Sequence, residues 1–123
     1  MVFANEDEAS AFTQLPSSQS EESLKVLSEL CEIAVVKLGA KGTLIAKDNE
    51  IIRSEATPVK TVIDTTGAGD FWAAGFLHGW ANDKSLEDSV QLGALMGASV
   101  VQNQGGTLSL KQWDDILKLI QTT

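Results

Sequence analysis

The chain has 123 residues, 43% of them hydrophobic and 21% charged, and its 9 basic and 17 acidic residues give a formal net charge of −8. This length suits a single compact domain, and the acidic balance argues against a nucleic-acid partner, since duplex binding depends on many cationic contacts to phosphates. No run of about 18 apolar residues is present for a membrane span, and the N-terminus lacks the basic flank and apolar stretch of a secretion signal. With one cysteine, Cys31, these features lead us to expect a cytoplasmic protein without membrane contacts.

The first half of the chain is predicted to contain a strand, two helices, a second strand and a hairpin. Asn5 is a favoured helix N-cap with Glu8 three residues later, and the apolar, β-branched run that begins at Ile33 is typical of a buried strand. A polar turn between two short apolar segments indicates the hairpin. The elements are expected at residues 2–4, 5–12, 21–31, 33–38, 43–46 and 51–53.

The second half is predicted to contain one more strand, at residues 61–63, and then three helices. The helices are expected at about residues 69–81, 86–101 and from 110 onward, the second of them capped by Ser85 with Asp88 three residues later. The last helix is expected to bury its apolar residues, which are Leu110, Trp113, Ile116, Leu117 and Ile120. Strands that alternate with helices indicate an α/β fold.

The clearest chemical signal is the segment Gly67-Ala68-Gly69 between a predicted strand and a predicted helix. Glycines at a helix start let backbone N–H groups point together at an anion, and the helix dipole favours negative charge there. Asp70, in the first turn, could accept a proton from a hydroxyl that attacks a phosphoryl group. The alternative is an ordinary strand-to-helix turn in which Asp70 favours the helix N-terminus. A Walker A motif is absent, and Trp72 stands where a dinucleotide fingerprint needs its third glycine.

Residues 64–71, Asp-Thr-Thr-Gly-Ala-Gly-Asp-Phe, resemble the signature of the ribokinase-like (PfkB) carbohydrate kinases, which include ribokinase, fructokinase and adenosine kinase. The resemblance implies that residues 1–123 form the C-terminal nucleotide-binding and catalytic portion of a three-layer α/β/α fold with a mainly parallel sheet and a β-hairpin. It implies ATP-dependent phosphorylation of a sugar or nucleoside hydroxyl. By position, Gly67, Ala68 and Gly69 would form the anion hole, and Asp70 would be the catalytic base.

Two segments of the first half also resemble family motifs. Asn5 and Glu8 match an Asn-x-x-Glu motif that would help to hold Mg²⁺ through water, although the same two residues make a good capping box. Lys37, Gly39 and Gly42 match a loop that would lie against the nucleotide phosphates. The alternative for that loop is a plain turn at the end of a strand, with solvated lysines.

Two further sets of residues follow from the resemblance. Ala94 and Gly97 would line the adenine pocket, although small residues on a helix more often permit tight helix packing. Six residues would supply oxygens to a monovalent cation such as K⁺, and they are Asp64, Thr66, Val100, Asn103, Gly105 and Ser109.

The resemblance also implies that the N-terminal half of a typical family member, with its acceptor-binding residues and lid, is absent from this sequence. We therefore expect either a fragment of a longer protein or a chain that associates with itself or with a partner to cover an exposed sheet. Two functions remain open: a kinase for a sugar or nucleoside, and a non-catalytic nucleotide-binding or interaction module derived from one. The intact Asp70 and glycines favour the kinase.

Overall fold

The computed structural model describes residues 1–122, with the side chains of residues 1–121. The chain divides into two compact units, of which the first is Met1–Ala56 and the second begins at Thr57. No helix within the described residues is both long and apolar enough to cross a lipid bilayer.

The first unit is a four-stranded sheet with two helices. Its strands are β1 (Val2–Asn5), β2 (Ile33–Lys37), β3 (Thr43–Lys47) and β4 (Glu50–Ser54). Its helices are α1 (Glu6–Thr13) and α2 (Ser20–Ser28), and a short 3₁₀ turn spans Gly39–Lys41. The strand order is β1-β2-β3-β4, with β1 and β2 parallel and the other two pairs antiparallel. The predicted α/β class and the β3–β4 hairpin are therefore confirmed, and the sheet of this unit is mixed.

The core of the first unit lies where α1 and α2 pack on one face of the sheet. Leu24 and Leu27 of α2 belong to one buried apolar cluster with Ala34 and Val36 of β2 and Leu44 of β3. Burying each leucine contributes roughly 1.5–3 kcal/mol. The alternate residues of β2 point to the opposite face and are buried as well, which accounts for the continuous apolar run.

The second helix is shorter than predicted. It ends at Ser28, not at Cys31, and Leu30 is consequently 66% exposed although it stands at helical spacing from Leu27. The Ser28 hydroxyl donates to the Lys25 carbonyl oxygen at 2.7 Å, a side-chain bond that competes for a carbonyl near the end of the helix.

The second unit consists of three helices: α3 (Ala68–Ala81), α4 (Leu86–Val100) and α5 (Leu110–Thr122). The Ser85 hydroxyl accepts a hydrogen bond from the Asp88 N–H, as the cap predicted for α4 requires. Trp72 and Phe76 of α3 stack with their ring centroids 5.5 Å apart. The helices α3 and α4 approach closely at Gly75, which has no side chain. A Cβ there would lie only 2.5 Å from the Leu92 carbonyl oxygen.

Two predictions for the second unit were wrong. Residues 61–63 form no strand; instead, the N–H groups of Ile63 and Asp64 both donate to the Val101 carbonyl oxygen, at 2.8 and 3.2 Å. Of the five apolar residues predicted to be buried in α5, only Ile116 is buried, whereas Leu110 is 85% exposed. The helix packs on α4 along a narrow stripe, so its apolar face is wider than the surface that covers it.

Candidate functional site

The turn before α3 has the geometry of an anion-binding helix start. Gly67 is the N-cap of α3, and its φ of 78° and ψ of 0° lie in the left-handed region. The Ala68 N–H donates to the Thr65 carbonyl oxygen at 3.1 Å, and the Phe71 N–H donates to the Gly67 carbonyl oxygen at 2.9 Å. Within residues 1–122, the N–H groups of Gly69 and Asp70 have no hydrogen-bond partner. These two N–H groups can therefore bind an oxyanion at the positive end of the helix dipole.

The predicted base, Asp70, stands in the first turn of α3 with its side chain exposed. Its carboxylate makes no hydrogen bond and no ion pair with any residue that the structure describes. The structure thus brings together the four residues predicted to be catalytic, Gly67 to Asp70, in a single turn. A carboxylate that is not engaged elsewhere, beside two available amides, can receive a proton from a substrate hydroxyl.

Asp64 organises the residues that precede this turn. Its Oδ1 accepts hydrogen bonds from the Thr66 hydroxyl at 2.6 Å and from the Thr66 N–H at 2.9 Å. Its Oδ2 accepts a hydrogen bond from the Gly105 N–H at 2.9 Å. The Thr66 hydroxyl first, and then the two N–H groups, lower the pKa of the Asp64 carboxyl below its ordinary value, because each bond stabilises the ionised form.

The residues predicted to bind a monovalent cation fall into two groups. Asp64, Thr66 and Gly105 contact one another directly. Asn103 and Ser109 both hydrogen-bond to Gln112: the Asn103 Nδ2 and the Ser109 N–H donate to Gln112 Oε1. The sixth residue, Val100, accepts a hydrogen bond from the Asn103 N–H through its carbonyl oxygen, at 3.1 Å.

Sequence analysis missed two residues here. Gly106 has a φ of 65°, and a Cβ at this position would lie 3.1 Å from the Thr66 carbonyl oxygen, so the loop that contains Gly106 packs against the turn. Gln112 joins three segments through its side chain. The adjacent pair Gly105-Gly106 and the capping-box spacing from Ser109 to Gln112 were the available signals.

The small residues of α4 have separate surroundings. A Cβ at Gly97 would lie 3.5 Å from the Ala68 carbonyl oxygen and 3.5 Å from the Trp72 ring, which are ordinary contact distances. At Gly93 it would lie 2.8 Å from the Trp72 carbonyl oxygen, so Gly93 serves tight helix packing. Gly97 therefore stands beside the first turn of α3 without being required for that packing, and Ala94 is half-buried on the same helix.

In the first unit, two separate predicted motifs meet at one edge of the sheet. Asn5 and Lys37 are register partners at the carboxyl ends of the parallel strands β1 and β2. The predicted capping box is present: the Glu8 N–H donates to Asn5 Oδ1 at 2.7 Å, and the Asn5 N–H donates to Glu8 Oε1 at 2.9 Å. The carboxyl ends of parallel strands are the common position of ligand sites in α/β sheets.

The two glycines of the loop after β2 differ in their surroundings. Gly39 has a φ of 61° and no atom within 4 Å of the place a Cβ would take. Gly42 has a φ of 99°, and a Cβ there would lie 2.0 Å from the Ser54 carbonyl oxygen. The space that the missing side chain leaves at Gly42 is thus used by the end of β4.

Comparison with known proteins identifies the family. The family described as pfkB family carbohydrate kinase matches residues 1–113. The chain belongs to this family. A pfkB-family relative, the ribokinase of Arabidopsis thaliana, is 31% identical over 122 residues, which are 95% of this chain and 32% of the ribokinase.

Solved structures of pfkB-family kinases agree with the fold. Adenosine kinase from Sinorhizobium meliloti is 33% identical with a TM-score of 0.86, over 99% of this chain and 36% of that one. Arabidopsis thaliana ribokinase, solved with ribose and ATP, is 30% identical with a TM-score of 0.81, over 94% and 40%. The chain therefore spans about a third of the length of these pfkB-family proteins.

The side chains of this pfkB-family chain suit a metal ion bound partly by nucleotide phosphates better than one bound by protein ligands alone. No group of three or more His, Cys, Asp or Glu within residues 1–122 could hold a metal ion. Magnesium commonly keeps several waters and is bound through one or two carboxylates plus substrate phosphates. Glu8 suits this mode, because its side chain is exposed and the capping box uses only one of its carboxylate oxygens.

Proposed function

We propose that the protein transfers a phosphoryl group from ATP to a hydroxyl of a sugar or nucleoside. One observation carries this proposal: two amides without a partner among the described residues, those of Gly69 and Asp70, stand in the same helical turn as the unengaged Asp70 carboxylate. The amides suit the charge of a transferring phosphoryl group, and the carboxylate suits the proton of the attacking hydroxyl. Membership of a carbohydrate kinase family supports the assignment.

Each residue of the turn has a distinct role in the proposed reaction. The Asp70 carboxylate accepts the proton of the acceptor hydroxyl as the oxygen attacks phosphorus. The N–H groups of Gly69 and Asp70 donate to the phosphoryl oxygens, on which negative charge is concentrated. Gly67 supplies the left-handed residue at which the helix begins. Ala68 was also predicted to form the anion hole, but its N–H donates to the Thr65 carbonyl oxygen.

The remaining predicted residues are assigned to ATP and to cations. Lys37, Gly39 and Gly42 would lie against the phosphates, and Ala94 and Gly97 would line the adenine pocket. Asn5 and Glu8 would hold Mg²⁺ through water, and the bound ion would neutralise phosphate charge. The set predicted for K⁺ comprises Asp64, Thr66, Val100, Asn103, Gly105 and Ser109.

The proposed acceptor is either a sugar or a nucleoside, because the similar proteins include both a ribokinase and an adenosine kinase. In this proposal residues 1–123 are the C-terminal portion of the kinase. The residues that select the acceptor then come from a further segment of the protein, from a second copy of this chain or from another partner. The proposed location is the cytoplasm.

A second candidate is a nucleotide-binding or interaction module without catalysis. The available amides of Gly69 and Asp70 fit this candidate too, since they can bind a nucleotide phosphate whether or not it is transferred. Such a module would bind MgADP without turnover, and replacement of Asp70 would leave that binding unchanged.

The test is release of ADP by this chain with MgATP across a panel of sugars and nucleosides, beside an Asp70→Ala variant. Turnover that depends on one acceptor and is lost in the variant supports the kinase and identifies its substrate. Binding of MgADP without turnover on any acceptor fits the module, and it fits equally a kinase portion whose acceptor-binding residues lie on another segment. Equal activity of both proteins would rule out Asp70 as the base.

A further inference from the structure

Gln112, in the first turn of α5, uses both atoms of its side-chain amide. Its Oε1 accepts hydrogen bonds from the Ser109 N–H, at 2.9 Å, and from Asn103 Nδ2. Its Nε2 donates to the Ser99 carbonyl oxygen at 3.2 Å. The bond to Ser109 belongs to an ordinary capping box, since the Gln112 N–H also donates to Ser109 Oγ at 3.2 Å. The bonds to Asn103 and Ser99 reach outside that cap, to the loop and to the last turns of α4.

The loop at residues 101–109 connects these contacts to the candidate site. Its Gly105 N–H donates to Asp64 Oδ2 at 2.9 Å, and its Val101 carbonyl oxygen accepts from the Ile63 N–H at 2.8 Å. Gly106 lies against Thr66, the residue before the left-handed Gly67. The segment that leads into the anion-binding turn is therefore held by this loop.

The loop needs an external restraint to keep one conformation. Gly105 and Gly106 have φ values of 84° and 65°, and two adjacent glycines give a segment unusual conformational freedom when it is not held. Asn103 also donates through Nδ2 to the Thr107 carbonyl oxygen at 2.9 Å, so the side chain that Gln112 binds spans the Gly105-Gly106 pair from one side to the other. A restraint on Asn103 thus acts on both ends of the glycine pair.

We propose that Gln112 is a positioning residue, which holds the loop at residues 101–109 through Asn103 and thereby fixes Asp64 and the turn from Gly67 to Asp70. Its importance for phosphoryl transfer rests on the function proposed above, whereas its action on the loop does not. A capping box alone would order the first turn of α5 and leave the amides of Gly105 and Ile63 unaffected.

The experiment measures hydrogen exchange of individual backbone amides by NMR, on the whole chain without nucleotide. The reporters are the Gly105 and Ile63 amides, which bridge the loop and the site, and the reference is the Phe76 amide inside α3. Gln112→Ala is compared with Gln112→Glu, which keeps an oxygen acceptor for Ser109 and Asn103. The matched control is Gln102→Ala, because Gln102 lies in the same loop and its Nε2 donates to the Ala98 carbonyl oxygen of α4, at 3.0 Å, and not to the candidate site.

We expect Gln112→Ala to accelerate exchange at Gly105 and Ile63 by about tenfold relative to Phe76, because it removes two bonds outside the cap. Gln112→Glu should recover most of the protection, and Gln102→Ala should match the unmodified chain. If Gln112→Ala does not fold, Asn103→Ala provides the same test, since it breaks the restraint and leaves the cap of α5 intact.

Unchanged relative exchange at Gly105 and Ile63 in the folded variant would overturn the proposal. An acceleration shared equally by Phe76 would overturn it as well, since that indicates general destabilisation. The measurement requires no turnover, so turnover that persists in Asp70→Ala would contradict the proposed function and leave the proposal for Gln112 intact.

Discussion

At the scale of single residues, Gly39 and Gly42 show that two glycines of one loop can be needed for different reasons. Both have positive φ angles, but only at Gly42 does the backbone of another strand occupy the place of a Cβ. From the sequence, both glycines were predicted to let a nucleotide approach the backbone closely. The geometry accounts for Gly42 through the packing of β4, while Gly39, with open space beside it, is the better position for ligand approach.

We therefore expect Gly42→Ala to lower the free energy of unfolding by at least about 2 kcal/mol, from backbone strain and a clash together. Gly39→Ala, the matched control, should cost only about 1 kcal/mol, from its left-handed conformation alone. Urea denaturation of both variants measures the difference. Equal losses would show that β4 moves aside without cost.

Asp64 is the residue whose ionisation the structure alters near the site. Because its folded pKa lies below its unfolded value, its contribution to stability is present above the unfolded pKa of about 3.9. That contribution is lost as the pH falls through the folded pKa. The first cause of the shift is the Thr66 hydroxyl, which can be removed without a large change of shape.

Thr66→Val is accordingly expected to raise the pKa of Asp64 toward its ordinary value, since the hydroxyl donor is gone while the branched shape is kept. NMR titration of the Asp64 carboxyl carbon measures the change. Thr65→Val is the control, because the Thr65 hydroxyl takes no part in the bonds to Asp64. An unchanged pKa in Thr66→Val would mean that the two N–H donors are sufficient.

At the scale of elements, α3 and α4 form the contact that places Gly97 beside the candidate site. A Cβ at Gly75 would lie 2.5 Å from the Leu92 carbonyl oxygen, and the nearest atoms are all backbone, so no side chain can give way. At Gly97 the nearest atoms are 3.5 Å away, and a methyl group fits. Packing of α3 on α4 therefore requires a glycine at position 75 and not at position 97.

Gly75→Ala should destabilise the chain by about 1–3 kcal/mol through overpacking. Gly97→Ala should be neutral or stabilising by up to about 1 kcal/mol, because alanine is the better helix former. If α4 lines the adenine pocket, Gly97→Ala should nevertheless weaken MgADP binding. Urea denaturation and calorimetric titration of both variants check this, and a Gly97→Ala variant with unchanged MgADP affinity would remove Gly97 from the site.

Element types were predictable where the signal is local. Asn5 with Glu8, and Ser85 with Asp88, mark helix starts that the structure confirms, because a cap depends only on residues within one turn. Residues 61–63 have strand composition, but a strand requires a partner strand, and the Ile63 amide donates instead to the carbonyl oxygen of Val101, just after α4. Burial in α5 failed for a similar reason, since periodicity shows which face is apolar and not how much of it is covered.

The candidate site was predictable as a motif and unpredictable as a network. Residues 64–70 stand together in sequence, so their meeting at one turn follows from the chain itself. Gly105 lies 41 positions from Asp64, and the family resemblance grouped the two as ligands of one cation without indicating that the Gly105 N–H would donate to that carboxylate. The role of Gln112 depends on the same fold, because its partners lie on α4 and on the loop that follows.

At the scale of the whole molecule, the family and the α/β fold are shown, and the extent of the working unit stays a prediction. β1 lies at an edge of the described sheet, and it is followed by α1, whose Phe12 is 65% exposed. An apolar strand edge beside exposed aromatic surface is the kind of surface that a further segment or a second chain covers. The expectation of a longer protein or of association rests on the family resemblance and stays a prediction.

Asp70 is the proposed base in phosphoryl transfer, and Asp70→Asn removes the carboxylate while keeping the shape of the side chain. Turnover of MgATP with the acceptor found in the panel, and affinity for MgADP, should be measured side by side for the chain and for Asp70→Asn. We predict that turnover falls by about 10²–10⁴-fold, the usual contribution of a general base, while MgADP affinity changes little. Turnover in Asp70→Asn equal to that of the unmodified chain would show that Asp70 is not the base.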